Sequence, residues 1–245
     1  ALLDNLGKIL RRKPVNPDRL VFDNIVAIVQ IKRRIQGVGI DGLKAPAAPI
    51  DLGNSGTSIR LMSGLLAGQA FDIELRGDRS LSKRPMQRVT EPLALMGARI
   101  DTAEGGKPPL KVHGGSKMQG IDYAMPMASA QVKSCLLLAG MYASGTTCVT
   151  EPATTRDHTE RMLNAFGYPV ETQGNRMCIT GGGRLTACDI DVPADISSAA
   201  FFLVAASIAQ NSDITLQHVG VNPTRTGVID ILRLMGANIE LHNPR

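Results

Sequence analysis

The chain has 245 residues, of which 43% are apolar, so it is long enough for one large or two small domains with a packed core. Only 3% of the residues are aromatic and Trp is absent, so Leu, Ile, Val, Met and Ala must build that core. Lys and Arg number 27 against 22 Asp and Glu, a net charge of +5 without a long basic run. This mild excess suits small anionic ligands, and the shortage of aromatic stacking surfaces argues against nucleic-acid binding.

The four cysteines are spread along the chain without a C-x-x-C pair, so their spacing predicts no metal site and favours the reduced thiols of a cytoplasmic protein. They are Cys135, Cys148, Cys178 and Cys188. No uninterrupted apolar stretch reaches about 18 residues, so we expect no membrane span. The N-terminus shows no secretory pattern.

Residues 1–35 differ in pattern from the rest and are predicted to form a separate, atypical segment. An amphipathic helix is predicted over residues 1–13, where it stops at Pro14. A strand is predicted over residues 21–29, because Ile and Val are frequent there. The basic residues 32–34 are predicted to form a solvated turn.

From residue 36 onward, the chain repeats one unit three times, over about residues 36–115, 116–185 and 186–245. Each copy begins with a helix that is apolar nearly all round, which is typical of a buried helix. A strand, an amphipathic helix ending at a glycine, and further short strands such as 98–101 and 238–241 follow. The closing glycines are Gly97, Gly167 and Gly236. Because these three glycines are almost evenly spaced, the repeat favours a closed, pseudo-threefold α/β domain, with buried helices surrounded by small sheets.

Small residues and hydroxyls open all three buried helices, over residues 53–57, 127–131 and 195–199. Free backbone N–H groups and the helix dipole favour anions at such positions. Ordinary N-capping by Ser, Thr or Asn would explain one such helix alone. Three equivalent helix starts favour a shared site for phosphate or carboxylate.

Arginines occupy matched places near the start of the second helix of each unit: Arg84, Arg156 and, less clearly, Arg225. The helix dipole disfavours a cation there. A guanidinium offers a planar pair of donors that matches carboxylate and phosphate. These arginines are therefore candidate ligand-binding residues, and a plain surface role is the alternative.

Five motifs, in order over about residues 36–245, resemble those of EPSP synthases. They are LGNSGTSIR at 52–60, GDRSLSKRPM at 77–86, ASAQVKS at 128–134, TRDHTE at 155–160 and NPTRTG at 222–227. The resemblance implies two similar domains, each with three βαβαββ units, which agrees with the repeat. It also implies transfer of the enolpyruvyl group of phosphoenolpyruvate to shikimate 3-phosphate, in aromatic amino-acid biosynthesis and without a cofactor.

The resemblance implies roles for individual residues. Those expected to bind shikimate 3-phosphate are Ser129, Ala130, Gln131, Arg156 and Ser198. Those expected at phosphoenolpyruvate are Gly56, Arg84 and Gln131, in a pocket where the family also binds the herbicide glyphosate. Phe201 stands where some members have a tyrosine, which leaves an apolar wall. The resemblance assigns no catalytic residue and no metal to this chain.

Two family segments are not found in this sequence. A Lys-Ser-x-x-x-Arg segment is not found in residues 1–35, and a second domain with an acid and a Lys-Glu-Ser-x-Arg segment is not found before Arg245. Because general acid–base groups contribute about 10²–10⁴-fold in rate, we expect this chain to be nearly inert alone. A separate chain carrying the second domain is a candidate partner.

The sequence leaves three other functions open. The related enolpyruvyl transfer to UDP-N-acetylglucosamine uses a loop cysteine, whereas Cys135 is predicted to lie inside a buried helix. A non-catalytic binding or assembly fragment is a second alternative. An RNA-end-processing enzyme of similar architecture is a third, and it requires a histidine that the sequence does not place.

Overall fold

A computed structural model of the chain describes residues 35–242. The helix, strand and turn predicted within residues 1–34 lie outside this range. The described residues belong to two compact units, a larger one formed by residues 35–189 and a smaller one formed by residues 190–242. None of the helices in the described part of the chain is long and apolar enough to cross a membrane.

The larger unit contains two successive copies of the same order of elements. The first copy consists of β1 (Ile50–Asp51), α1 (Gly56–Ala67), β2 (Ile73–Arg76), a 3₁₀ turn (Leu81–Lys83), α2 (Gln87–Leu95), β3 (Arg99–Ala103) and β4 (Lys107–His113). The second copy consists of β5 (Asp122–Ala124), α3 (Ala130–Gly140), β6 (Thr146–Thr150), α4 (His158–Ala165), β7 (Glu171–Gln173) and β8 (Arg176–Thr180).

The two copies also share one sheet topology. The sheets run β1-β2-β4-β3 and β5-β6-β8-β7. In each, the first pair of strands is parallel and the other two pairs are antiparallel. The predicted α/β fold of repeated βαβαββ units is therefore confirmed in both copies, and the strand predicted at 98–101 corresponds to β3.

The second helix of each copy ends as its glycine predicts. Gly97 and Gly167 have φ angles of 95° and 74°, a left-handed conformation that other residues rarely adopt. Gly236 in the smaller unit has a φ angle of 95°. The three glycines end α2, α4 and α6 (Gly227–Leu234), which confirms the internal repeat at equivalent places.

The smaller unit carries α5 (Ile196–Ile208), α6 and one parallel bridge between Ala194 and Val219. Its core is small and contains Ile196, Ala199 and Ile229. The strand predicted at 238–241 is not formed. Within the described part of the chain, no strand lies beside these residues to form hydrogen bonds with them.

Helix α5 differs from the prediction that it is buried. Phe201, which the sequence predicts as an apolar wall, is 79% exposed, and Phe202 and Ile208 are exposed as well. In the larger unit, the apolar side chains of α1 pack on those of β2 and β4. The described part of the smaller unit offers no comparable sheet, so apolar composition alone does not bury α5.

Two cysteines correct the prediction of reduced thiols. Cys148 on β6 and Cys178 on β8 face each other across the antiparallel pair and form a disulfide, with Cα atoms 4.1 Å apart. They are 30 residues apart in sequence, so only the strand register reveals the pairing. Cys135 and Cys188 are free thiols.

Helices α1 and α3 lie against each other in the centre of the larger unit. A methyl group at Gly64 would overlap the carbonyl oxygen of Cys135, so the two backbones are as close as a glycine allows. Thr57, the second residue of α1, also contacts Gln131 at the start of α3. Because both contacts run in the same direction along the two helices, α1 and α3 are parallel and begin side by side.

We expect Gly64→Ala to destabilise the larger unit, because backbone atoms cannot move aside as a flexible side chain can. Overpacking of this kind lowers the free energy of unfolding by about 1–3 kcal/mol or more. Thermal and denaturant unfolding measure the effect. The control is Gly37→Ala in the same unit, where an added methyl meets no atom within 4 Å. Equal stability of the two variants would contradict the close approach of α1 and α3.

Candidate functional site

The start of α1 is a polar turn built around a glycine. The Oγ atom of Ser55 accepts a hydrogen bond of 3.1 Å from the backbone N–H of Ser58 and so caps the helix. Gly53 adopts a left-handed φ angle of 53°, and its N–H donates to Asp51 Oδ1 at 2.9 Å. Gly56, the first residue of α1, is buried and presents backbone alone.

The start of α3 has an equivalent cap. Ser129 Oγ accepts a 3.4 Å hydrogen bond from the N–H of Val132. Accepting this bond occupies one lone pair, so the hydroxyl can also donate to a ligand. Ordinary capping and ligand binding are thus compatible at Ser129, and Ala130 follows as the first helical residue.

Side chains bridge the two helix starts. Arg60 Nη1 donates to Gln131 Oε1 at 2.7 Å and to the Gly56 carbonyl oxygen at 3.3 Å. Gln131 Nε2 donates to Thr57 Oγ1 at 2.7 Å. Both ends of the Gln131 amide are therefore held by α1, which fixes the orientation of a residue that belongs to α3.

Arg84 lies beside the start of α1. It follows the 3₁₀ turn in an extended conformation, as the residue before a proline usually does. Its Nη2 donates to Asn54 Oδ1 and, at 3.4 Å, to Ser80 Oγ. A methyl group on Gly56 would lie 2.7 Å from Arg84 Nη1 and 3.1 Å from Arg60 Nη1. Because Gly56 has no side chain, the guanidinium groups of Arg84 and Arg60 can both come close to the start of α1.

The two arginines make this helix start strongly positive. Partial burial lowers the pKa of Arg60, and the positive charges of Arg84 and Arg88 lower it further. Within residues 35–242, no carboxylate forms an ion pair with Arg60 or Arg84. An anion bound here would relieve the repulsion between cations and would also gain from the dipole of α1.

Arg156 lies in the loop between β6 and α4, and its side chain is exposed. Helix α4, which follows this loop, is joined to α3 by side chains. Thr159 Oγ1 donates to Ser134 Oγ at 2.7 Å, and Lys133 Nζ lies 2.7 Å from Glu160 Oε1.

The third helix start, in the smaller unit, has a different charge. Asp195 caps α5 by accepting a 3.0 Å hydrogen bond from the N–H of Ser197. Arg225 donates to Ser197 Oγ and lies 3.4 Å from Asp195 Oδ1. The arginine takes the same place as Arg84, but its helix start already carries a carboxylate. Ser198, one residue further along, is exposed.

Sequence reasoning missed Arg60, although it lies within the motif at 52–60, and it included Asn54 and Thr57 only as part of the helix start at 53–57, without individual roles. Arg60 follows Gly56 by four residues, so a helix beginning at Gly56 places its side chain on the same face as that glycine. That spacing was the available signal. The contact with Gln131, 71 residues further along, has no counterpart in the local sequence.

Known proteins that are similar to this chain indicate its family. Residues 22–244 match the family model of EPSP synthase (3-phosphoshikimate 1-carboxyvinyltransferase). The chain belongs to the EPSP synthase family. The match begins at residue 22, ahead of the boundary at residue 36 that the motifs indicated, so the family likeness includes part of the segment predicted to be atypical.

Named relatives are similar over most of the chain. A 3-phosphoshikimate 1-carboxyvinyltransferase of Methylococcus capsulatus is 72% identical over 212 residues, which is 86% of this chain and 48% of that protein. One of Alkalilimnicola ehrlichii is 69% identical over 211 residues, 86% of this chain and 47% of that protein. A solved EPSP synthase of Acinetobacter baumannii is 59% identical, with a TM-score of 0.79 over 85% of this chain and 47% of that one. The chain thus spans about half the length of these relatives.

Cys135 is not placed to be the loop cysteine that enolpyruvyl transfer to UDP-N-acetylglucosamine uses. It lies inside α3 and is fully buried. Burial raises the pKa of the Cys135 thiol to about 12. A neutral thiol inside a helix is unsuited to nucleophilic or proton-transfer chemistry.

Proposed function

We propose that the chain is the substrate-binding part of an enzyme that transfers the enolpyruvyl group of phosphoenolpyruvate to shikimate 3-phosphate and releases phosphate. The observation that supports this most is the pair of parallel helix starts joined by Arg60, Gln131 and Thr57, beside Arg84. Both proposed substrates carry phosphate and carboxylate groups, which helix N–H groups and guanidinium groups bind well.

The proposed binding residues divide between the two helix starts. Shikimate 3-phosphate is held at the start of α3 by Ser129, Ala130 and Gln131, with Arg156 as a further contact, and the role of Ser198 stays a prediction of the family resemblance. Phosphoenolpyruvate lies against Gly56 and Arg84, where the absent side chain lets an anion reach the backbone. Gln131 contacts both substrates, because its amide is fixed between the two helices.

In this proposal the chain binds and orients the substrates, and the groups that move protons belong to the second domain of the family. Holding both reactants in place contributes on its own, because a bimolecular step becomes effectively unimolecular. The transfer involves no change of oxidation state, and we propose no cofactor or metal for it. We place the protein in the cytoplasm, as an enzyme of aromatic amino-acid biosynthesis.

We further propose that residues 36–245 form one substrate-binding domain with three repeat units and that residues 1–35 precede it. The second domain would complete the active site, and a separate chain is a candidate source of it.

Titration of the 245-residue chain tests this function. We expect weak binding of shikimate 3-phosphate, since the helix starts are present, and no release of phosphate from the two substrates together. UDP-N-acetylglucosamine and a short RNA serve as controls and should not bind. Binding of either control in place of shikimate 3-phosphate would overturn the proposed function, and robust phosphate release would show that catalytic groups lie in this chain.

Gly56→Ala tests the proposed phosphoenolpyruvate pocket in a full-length enzyme that carries this sequence. The added methyl meets the flexible ends of Arg84 and Arg60 and no backbone atom, so the melting temperature should change little. Inhibition by glyphosate, which is bulkier in this direction, should be strongly reduced, and affinity for phosphoenolpyruvate should fall in part.

Inhibition, phosphoenolpyruvate affinity and melting temperature are measured on both versions. If Gly56 only serves the backbone turn, both ligands would lose affinity equally and the melting temperature would drop, contrary to our expectation.

A further inference from the structure

A buried cluster of three charged side chains lies beneath the loop that carries Arg156. Lys133 on α3 is 1% exposed, and its Nζ atom lies 3.2 Å from Glu151 Oε2 and 2.7 Å from Glu160 Oε1. Glu151 is 3% exposed and Glu160 is also buried. Removing three charges from water is unfavourable unless each gains partners, so the contacts of each carboxylate indicate what it stabilises.

Glu151 closes the turn that leads into Arg156. Its Oε1 accepts a 3.0 Å hydrogen bond from the N–H of Thr155, and its Oε2 accepts one of 2.6 Å from Thr155 Oγ1. The Glu151 backbone is itself held by Asn175. The Glu151 N–H donates to the Asn175 carbonyl oxygen at 2.9 Å, and Asn175 Nδ2 donates to the Glu151 carbonyl oxygen at 2.7 Å.

Glu160 has a different environment, although it shares Lys133. Its Oε1 pairs with Lys133, and its Oε2 is buried without a hydrogen-bond partner among the described residues. Glu160 lies on α4, beyond the loop. It joins α4 to α3, whereas the hydrogen bonds to Thr155 come from Glu151, so the two carboxylates have separable effects.

We propose that Glu151 is a positioning residue for Arg156 in the binding of shikimate 3-phosphate. This inference rests on the proposed function. Thr155 directly precedes Arg156, and fixing both its N–H and its hydroxyl restricts the backbone from which the arginine extends. A preorganised loop loses less conformational entropy when the ligand binds. Lys133 offsets the charge of Glu151 and ties the turn to α3, the helix whose start provides Ser129 and Gln131.

Two matched variants of the 245-residue chain separate positioning from stability. Glu151→Ala and Glu160→Ala each remove one buried carboxylate and leave Lys133 paired with the other, so both should lower the melting temperature. Only Glu151→Ala releases Thr155. We expect it to weaken shikimate 3-phosphate binding at least about tenfold, since each lost hydrogen bond corresponds to roughly a two- to tenfold change. Glu160→Ala should bind nearly as the unsubstituted chain does. Calorimetry well below every melting temperature measures the affinities.

A second pair of variants leaves the ion cluster intact. Thr155→Val removes only the hydroxyl bond to Glu151 and should reduce affinity by roughly two- to tenfold with an almost unchanged melting temperature. Thr155→Ser keeps the hydroxyl and should bind shikimate 3-phosphate about as well as the unsubstituted chain does. Hydrogen exchange at the amides of residues 155 and 156 should be faster in Glu151→Ala and Thr155→Val than in Glu160→Ala.

The outcomes distinguish the two proposals. If the unsubstituted chain fails to bind shikimate 3-phosphate, the proposed function is wrong and the role of Glu151 with it. If the unsubstituted chain binds, but Glu160→Ala loses as much affinity as Glu151→Ala or Thr155→Val loses none, then the positioning role alone is overturned.

Discussion

The close parallel approach of α1 and α3 determines most of the larger unit. Where Gly64 meets Cys135, no side chain fits between the two helices. Because packed interiors hardly deform, this contact fixes how far each helix can slide along the other. It thereby sets the two helix starts side by side, with Arg60 and Thr57 of α1 within hydrogen-bond distance of Gln131 of α3. The candidate site is a consequence of this packing, since side chains of α1 hold Gln131 of α3 in place.

Charge is distributed in two contrasting ways around these helices. At the start of α1, the guanidinium groups of Arg60 and Arg84 have uncharged partners, which leaves a positive potential for a ligand to neutralise. Beneath the neighbouring loop, Lys133 is enclosed by two carboxylates and its charge serves the fold. At the start of α5 in the smaller unit, the arginine has a charged partner instead, because Asp195 provides a negative charge beside Arg225. The starts of α1 and α5 therefore differ in the charge that they offer to a ligand.

The sequence was sufficient for features that depend on neighbouring residues. The repeat, the left-handed glycines that end α2, α4 and α6, and the capping residues of α1 and α3 all follow from local composition and spacing. Features that depend on tertiary register were missed, since nothing near Cys148 indicates Cys178 and nothing near Arg60 indicates Gln131. The burial of α5 was wrongly predicted for a related reason. An apolar helix indicates that burial is favourable, but its own sequence does not show what packs against Phe201.

The most direct test of the account is whether Thr57 acts on ligand binding through Gln131. Affinity for shikimate 3-phosphate is measured by calorimetry for the native chain, Thr57→Val, Gln131→Ala and the double variant. Thr57 is exposed and is not among the proposed ligand contacts, so we expect it to act only through Gln131. Thr57→Val should therefore weaken binding by roughly two- to tenfold in the native background and have no effect in the Gln131→Ala background. Equal losses in both backgrounds, additive within about 0.3–0.5 kcal/mol, would contradict the claim that the two helix starts form one site.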